Sequence, residues 1–333
     1  MKKLTNQIFS AVCGIGKFIL KILKHPKGRL GVILVGIVAL AAIFAPVLTP
    51  YGLYDYDVAG GLAKPSAEHL LGTDKNGVDI LTQILYGARI SLIIGVTTGL
   101  CVTLLGATLG IVSAYFGKVS AAVILNIINV LLVIPTTPLM MILSKVSSSY
   151  LMMIAIFTLI GWCGTARMVR AQVLSIMNMN YIRAAELSGG SKTYIMFRHI
   201  MPSVSHLLIM NTALSCAGFM IAEAGLSFIG LGDPSVMSWG KILVAAQESA
   251  FTSGLWAWVL APGAAIFITV FGFMQIGYAM EEIMNPKMKR KKDIRKKGNS
   301  PEAAAQAVFA EMTEMDEAEA AALKAAFETG GKA

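Results

Sequence analysis

The chain has 333 residues, 56% of them hydrophobic and only 14% charged, with a formal net charge of +9 at pH 7. A soluble domain carries about 25% charged residues, so these values argue against one large water-soluble core. The basic excess lies in blocks beside apolar runs, where membrane orientation accounts for it without nucleic acid. Cys13, Cys101, Cys163 and Cys216 have no metal-ligand spacing and read as small packing residues, not as a disulfide framework.

Residues 4–24 read as an amphipathic helix. Ile8, Phe9, Val12, Ile15, Ile19, Ile22 and Leu23 recur at near-helical spacing among Lys17, Lys21 and Lys24, as in a helix lying in the headgroup plane. Those lysines, and the lack of a small-residue cleavage site, argue against a cleaved signal peptide. Pro26 and Gly28 end the pattern, so residues 1–29 form an N-terminal arm.

Apolar runs then predict spans over residues 30–48, 91–115, 119–143, 150–165, 204–229 and 256–280. A hydrocarbon core needs about 20 helical residues per span, and the fourth run is short. The expected fold is all-α, a polytopic bundle of about six transmembrane helices occupying residues 30–286. A polar, turn-rich segment, 49–79, separates the first two spans, and residues 80–89 read as a short amphipathic bridge into the second. Residues 166–203 form a polar stretch too long for a simple turn. Beyond the last span lie a basic segment and then an acidic, alanine-rich tail; residues 287–333 hold too little apolar surface to bury a core and are expected to be mobile.

Lysine and arginine placement sets the orientation. The N-terminal arm, the 166–203 loop (Arg167, Arg170, Arg183, Lys192, Arg198) and the segment from Lys287 to Lys297 are all basic. Six spans put all three on one side. By the positive-inside rule both termini are then cytoplasmic, while residues 49–79 and 231–255 lie outside a cell membrane.

Catalytic chemistry is not expected. Ser191-Lys192-Thr193 resembles the end of a phosphate loop, but Ser191 and Glu186 stand where that loop needs glycine. His25, His69, His199 and His206 are far apart, with no second ligand type at metal spacing. No serine or cysteine has a recognisable base beside it.

The spans do carry small and polar residues. Gly95 with Gly99, and Gly106 with Gly110, form small-xxx-small pairs that let helix backbones approach closely. Asn126 and Asn129 lie one turn apart on the third span, and Asn211 at similar depth on the fifth; they either bond between helices or line a polar passage. Pro135-Thr136-Thr137-Pro138 interrupts the third span, and a broken helix at that depth belongs beside protein or water. Glu223 is either an intramembrane functional carboxylate or a residue reaching the outer interface.

The 166–203 loop carries the most specific pattern: Arg183-Ala184-Ala185-Glu186, then Gly189, a gap of ten residues, then Ile200-Met201-Pro202. It resembles the coupling loop of ABC importer permeases. Leu71-Gly72-Thr73-Asp74, Tyr86-Gly87-Ala88-Arg89, Gly161-Trp162, Glu223-Ala224-Gly225-Leu226-Ser227 and Ser238-Trp239-Gly240 are similar to segments of the dipeptide/oligopeptide/nickel importer permeases, C-type subunit. Arg183 stands where that family has Glu, and Met201 where it has Leu.

The resemblance implies a permease that forms half of a passage for peptides or a related small solute such as a nickel complex. It implies a second homologous permease subunit, two ATPase domains and an extracytoplasmic substrate-binding protein as partners. ATP and Mg would bind to the ATPase, and no cofactor to this chain. Arg183, Ala184, Ala185, Glu186, Gly189, Ile200 and Pro202 are then the expected ATPase-coupling residues. Asn126, Asn129, Pro135, Thr136, Thr137, Asn211 and Glu223 are the expected path residues. The alternative is a secondary transporter or channel, which would need ion-coupling charges inside the spans.

Overall fold

The computed structural model describes residues 21–56, 61–145 and 149–284. Most of the expected 4–24 amphipathic helix and all of the 287–333 tail lie outside these residues; Lys21–Lys24 are helical. The chain divides into two compact units, Met1–Glu281 and Glu282–Ala333, and the second contributes only residues 282–284 to the described set.

Every named element among the described residues is helical. Helix α1 (Pro26–Ile43) begins with Pro26 in its first turn, where the missing N–H is not needed, and a short α2 (Ala45–Leu48) follows. Helix α3 (Ile80–Tyr115) has 36 residues, about 54 Å at 1.5 Å per residue, well beyond a bilayer core. This corrects the expectation of a separate bridge at 80–89. The polar side chains of this stretch find partners, Gln83 on Asp74 and Arg89 on the end of α1, so the helix runs on unbroken. Asp79 caps it, accepting from the Thr82 N–H at 2.7 Å.

The expected third span at 119–143 is not one rod. It consists of α4 (Lys118–Val133) and α5 (Thr136–Ser144), bent by 85° at Ile134-Pro135. Pro135 disfavours helical geometry in the residue before it and cannot donate to the helix, so the axis breaks there. Helix α6 (Tyr150–Met177) is longer than the expected 150–165, because Arg167 and Arg170 find polar partners on neighbouring helices.

Two short helices, α7 (Asn180–Leu187) and α8 (Lys192–Ile195), lead through a π-helical turn, Met196–Ile200, into α9 (Met201–Phe228). The outer loop expected at 231–255 instead contains helix α10 (Trp239–Ser253), and α11 (Trp256–Met284) closes the described chain. Among the described residues, five helical stretches are long and apolar enough to cross a membrane, or six if the bent α4–α5 pair counts as one span.

Helix α3 is the centre of the bundle, packed along α6 and α9 and touching α1, α4 and α10. Its glycines explain the closeness. A methyl group on Gly99 would lie 2.8 Å from the Cys216 backbone N of α9, and one on Gly106 2.9 Å from the Trp162 carbonyl oxygen of α6. The first small-xxx-small pair therefore faces α9 and the second faces α6. Helix α1 lies against α11, where a methyl on Gly31 would come within 2.9 Å of the Ile276 backbone N. The other side of α1 presents exposed Leu30, Ile33, Ile37 and Leu40, a stripe suited to lipid.

Candidate functional site

The segment from Asn180 to Pro202 is anchored on one side and open on the other. Ile182, Ile195, Ile200 and Val204 are buried in one cluster with Ile111 and Tyr115 of α3 and Val169, Val173 and Ile176 of α6. That cluster fastens α7, α8 and the π-helical turn to the ends of three spans. The outward side of α7 is different. Arg183, Ala184, Glu186 and Gly189 are exposed, Ala185 is half-buried, and Leu187 is 90% exposed. Tyr194 and Phe197 add exposed aromatic surface nearby. Together Leu187, Tyr194 and Phe197 leave apolar surface exposed on this segment, which suits a protein groove.

Local backbone chemistry shapes this segment. Gly189 has φ +80 and ends α7 in the left-handed conformation that glycine adopts without a steric penalty. Gly190 is not among the expected coupling residues, yet a methyl there would lie 2.8 Å from the Ala185 carbonyl oxygen. Ser191 caps α8 by accepting from the Tyr194 N–H at 3.2 Å. Among the described residues Arg183 and Glu186 make no ion pair with each other, so both charges face outward. Pro202 lies in the first turn of α9, where its missing N–H is tolerated.

The intramembrane polar residues fall into three places. The Asn211 amide donates to Thr165 Oγ1 at 2.9 Å and Thr103 Oγ1 at 3.3 Å, joining α9, α6 and α3. These bonds run between helices. Asn126 and Asn129 are exposed on α4, opposite the buried Ile124 and Ile128, and Asn129 Oδ1 accepts from Arg167 at 3.3 Å. Pro135, Thr136 and Thr137 are exposed at the bend, and Thr137 borders an apolar cavity of about 220 Å³ with Met140, Met141 and Leu226. Glu223 stands apart from all of these. It is 1% exposed and packed inside the chain.

The described residues of the 49–79 segment form a hydrogen-bonded platform. His69 Nδ1 lies 3.1 Å from Asp79 Oδ1, and the His69 ring stacks on Tyr51 at 4.7 Å. Asp74 accepts the Val78 N–H at 2.9 Å and the Gln83 amide at 2.7 Å. Arg89 reaches from α3 to the end of α1, donating to the Ala42 and Ile43 carbonyls at 2.7 and 3.1 Å. A cation at those carbonyls also complements the helix dipole.

A sequence profile described as the binding-protein-dependent transport system inner membrane component matches residues 106–290, more than half of the chain. The dipeptide transport system permease protein DppC of Alkalihalophilus pseudofirmus is 34% identical over 271 residues, covering 80% of this chain and 88% of that protein. The chain belongs to the family of binding-protein-dependent transport system inner membrane components. The permease is also 30% identical to the oligopeptide transport system permease protein OppC of Bacillus subtilis over 274 residues, 81% of this chain and 89% of that one. It is 31% identical to DppC of Bacillus subtilis over 271 residues, 80% and 84% of the two chains. It is an ABC-type inner-membrane transport subunit without catalysis of its own, in a system that works with a binding protein and an ATPase.

One contact outside the spans of the permease depends on an ionised carboxylate. Asp233 Oδ2 accepts the Tyr150 N–H at 3.0 Å, tying the loop after α9 to the start of α6. Burial raises the Asp233 carboxyl, but bonds from Ser235 and Tyr150 and the Lys241 charge outweigh it and hold the pKa below the usual aspartate value. A depressed folded pKa stabilises the tie above the unfolded value of about 3.9, and that contribution is lost only as pH falls further. Asp233→Asn is therefore expected to weaken protection of the Tyr150 amide at pH 7. In the wild type, hydrogen exchange at that amide should hold steady from pH 7 to about 5 after correction for intrinsic rates; a loss already complete at pH 5 would refute the assignment.

Proposed function

We propose that this permease forms half of the translocation pathway of an ATP-driven peptide importer and is driven through α7 by a cytoplasmic ATPase. The observation that carries this reading is the two-sided build of the Asn180–Pro202 segment. One side is locked into the cluster around Ile182 and Ile200, and the other holds out Leu187, Ala184 and Arg183. A displacement of α7 by a partner would pass directly to α3, α6 and α9 through that shared core, because packed interiors transmit strain.

Peptides are proposed as cargo because the relatives are dipeptide and oligopeptide permeases. The other half of the pathway is a second homologous permease, and two ATPase domains supply the ATP and Mg sites. With both termini and the 166–203 segment cytoplasmic, α7 faces the ATPase while the platform at 49–79 faces the binding protein. Asn126, Asn129, Thr136 and Thr137 are exposed along the bent α4–α5 pair and are the proposed path residues. Asn211 and Glu223 support the bundle from within.

The decisive experiment is co-purification. The tagged chain, extracted in mild detergent from cells of its source, is expected to bring down ATPase subunits and a second permease, and the binding protein is expected to stimulate hydrolysis. Recovery of the chain alone, with uptake insensitive to ATP, would overturn the reading.

A further inference from the structure

At the outer end of α9 lies a buried polar knot. Glu223 Oε1 accepts from the Ser227 hydroxyl at 2.7 Å, and Oε2 from the Ser91 hydroxyl at 3.3 Å. Ser91 itself accepts the backbone N–H of Trp239 at 3.2 Å. A serine hydroxyl has a single proton, so Ser91 can accept from Trp239 and still donate to Glu223. The relay therefore has a fixed direction, from α10 through α3 to α9.

The three helices meet closely around the knot. A methyl on Gly240 would lie 2.6 Å from Ser227 Cβ and 2.7 Å from the Ala224 carbonyl oxygen, and one on Gly232 2.9 Å from Ser227 Cβ. Trp239 is fully buried, and its indole N–H donates to the Ile84 carbonyl at 3.0 Å. Gly230 and Gly254, with φ of +82 and +72, bracket the α10 segment. Such turns do not dictate where α10 sits, so its contacts must. A well-packed apolar residue in place of a buried carboxyl is often no less stable, and stability alone is a weak reason for Glu223.

We propose that Glu223 is a positioning residue for transport. Through Ser91 it fastens the outer helix α10 to α3 and α9, so that α10 travels with them as one body. Helix α9 starts beside the coupling segment, with Ile200 and Val204 in the cluster that buries Ile182, and ends at the knot. A tilt imposed at α7 thus reaches α10 along one helix of 28 residues, about 42 Å. The consequence for transport rests on the importer reading; the joint itself does not.

Three variants test it in the full chain: Ser91→Ala, Glu223→Ala and the conservative Glu223→Gln. Hydrogen exchange in lipid nanodiscs is expected to rise about tenfold at residues 239–247 in both alanine variants, with residues 180–200 unchanged. Glu223→Gln keeps an acceptor toward Ser91 and can donate to Ser227, so exchange should stay within about twofold of wild type. In the reconstituted transporter the alanine variants are expected to lose about tenfold of binding-protein-stimulated hydrolysis while basal hydrolysis holds, and glutamine is expected to restore it. Should Glu223→Ala fail to insert, Ser91→Ala decides, since it removes only the relay hydroxyl. Unchanged exchange in the alanine variants overturns the joint. Raised exchange with normal stimulation leaves a merely structural contact and overturns the transport role. Loss in glutamine equal to that in alanine overturns positioning in favour of charge. A wild-type transporter without stimulation overturns the importer reading, and with it the role in transport, while the exchange measurements still report whether the joint exists.

Discussion

Gly106→Val is expected to insert into the membrane but lose the native bundle, seen as a large fall in thermal stability and in monodisperse yield after extraction. The first added carbon would lie 2.6 Å from Thr165 Cβ and 2.9 Å from the Trp162 carbonyl oxygen. The carbonyl belongs to the α6 backbone and cannot rotate aside, so α3 and α6 must separate. Overpacking commonly costs about 1–3 kcal/mol, and more where backbone must move. The α3–α6 contact is among the most extensive in the chain, so its opening would disturb Asn211 and the cluster beneath α7 as well. Gly164→Ala is the control, since no atom lies within 4 Å of an added methyl there. A Gly106→Val protein that melts with the wild type would refute this account of the glycine pairs.

Leu187→Asp is expected to abolish productive contact with the ATPase without disturbing the spans. Leu187 is 90% exposed and contributes little to the fold of the chain itself. A charge placed in a desolvated groove should cost at least about 2 kcal/mol, a roughly 30-fold loss of binding. Gly189→Trp acts differently. Space is open around Gly189, but its φ of +80 makes any other residue strained by about 1–2 kcal/mol, so the end of α7 should turn out of line. Enlarging the half-buried Ala185 is expected to push α7 off its seat. Exchanging Arg183 and Glu186 tests the partner's charges, because neither residue is paired with the other. If Leu187→Asp, Gly189→Trp and the exchange all leave ATPase binding and stimulated hydrolysis unchanged, α7 is not the coupling element.

The spans were legible where apolar runs are uninterrupted, as in α1 and α11. They were misjudged where a polar side chain is satisfied by another segment of the chain. Gln83 and Arg89 suggested a bridge before the second span, yet Gln83 bonds Asp74 and Arg89 caps α1, so α3 simply begins earlier. Arg167 and Arg170 appeared to end the fourth span, but one donates to Asn129 and the other to the Ser113 carbonyl. Helix α10 was missed because its apolar run, residues 242–246, is far too short for a span; Trp239, Ile242 and Ala246 at helical spacing were the available signal.

The coupling pattern was legible as a motif, down to the turn at Gly189. Which face of α7 is anchored was not, because Ile182 meets Ile195, Ile200 and α6 only after folding. Glu223 shows the same limit. Counting residues along one helix gave its depth, but its neighbour Ser91 lies 132 positions away in sequence.

The break between α4 and α5 sets a condition on how the chain can exist in a cell. An 85° bend leaves carbonyls at the end of α4 and N–H groups at the start of α5 without helical partners, and Pro135 and Pro138 remove only two of those donors. Ile134, Pro135, Thr136 and Thr137 are exposed on this chain. Hydrocarbon cannot satisfy such groups; water or protein must. On the importer reading, a copy without its companion permease would sit in the bilayer with that polar seam uncovered. Balanced synthesis of the subunits is then a requirement written into a single bent helix.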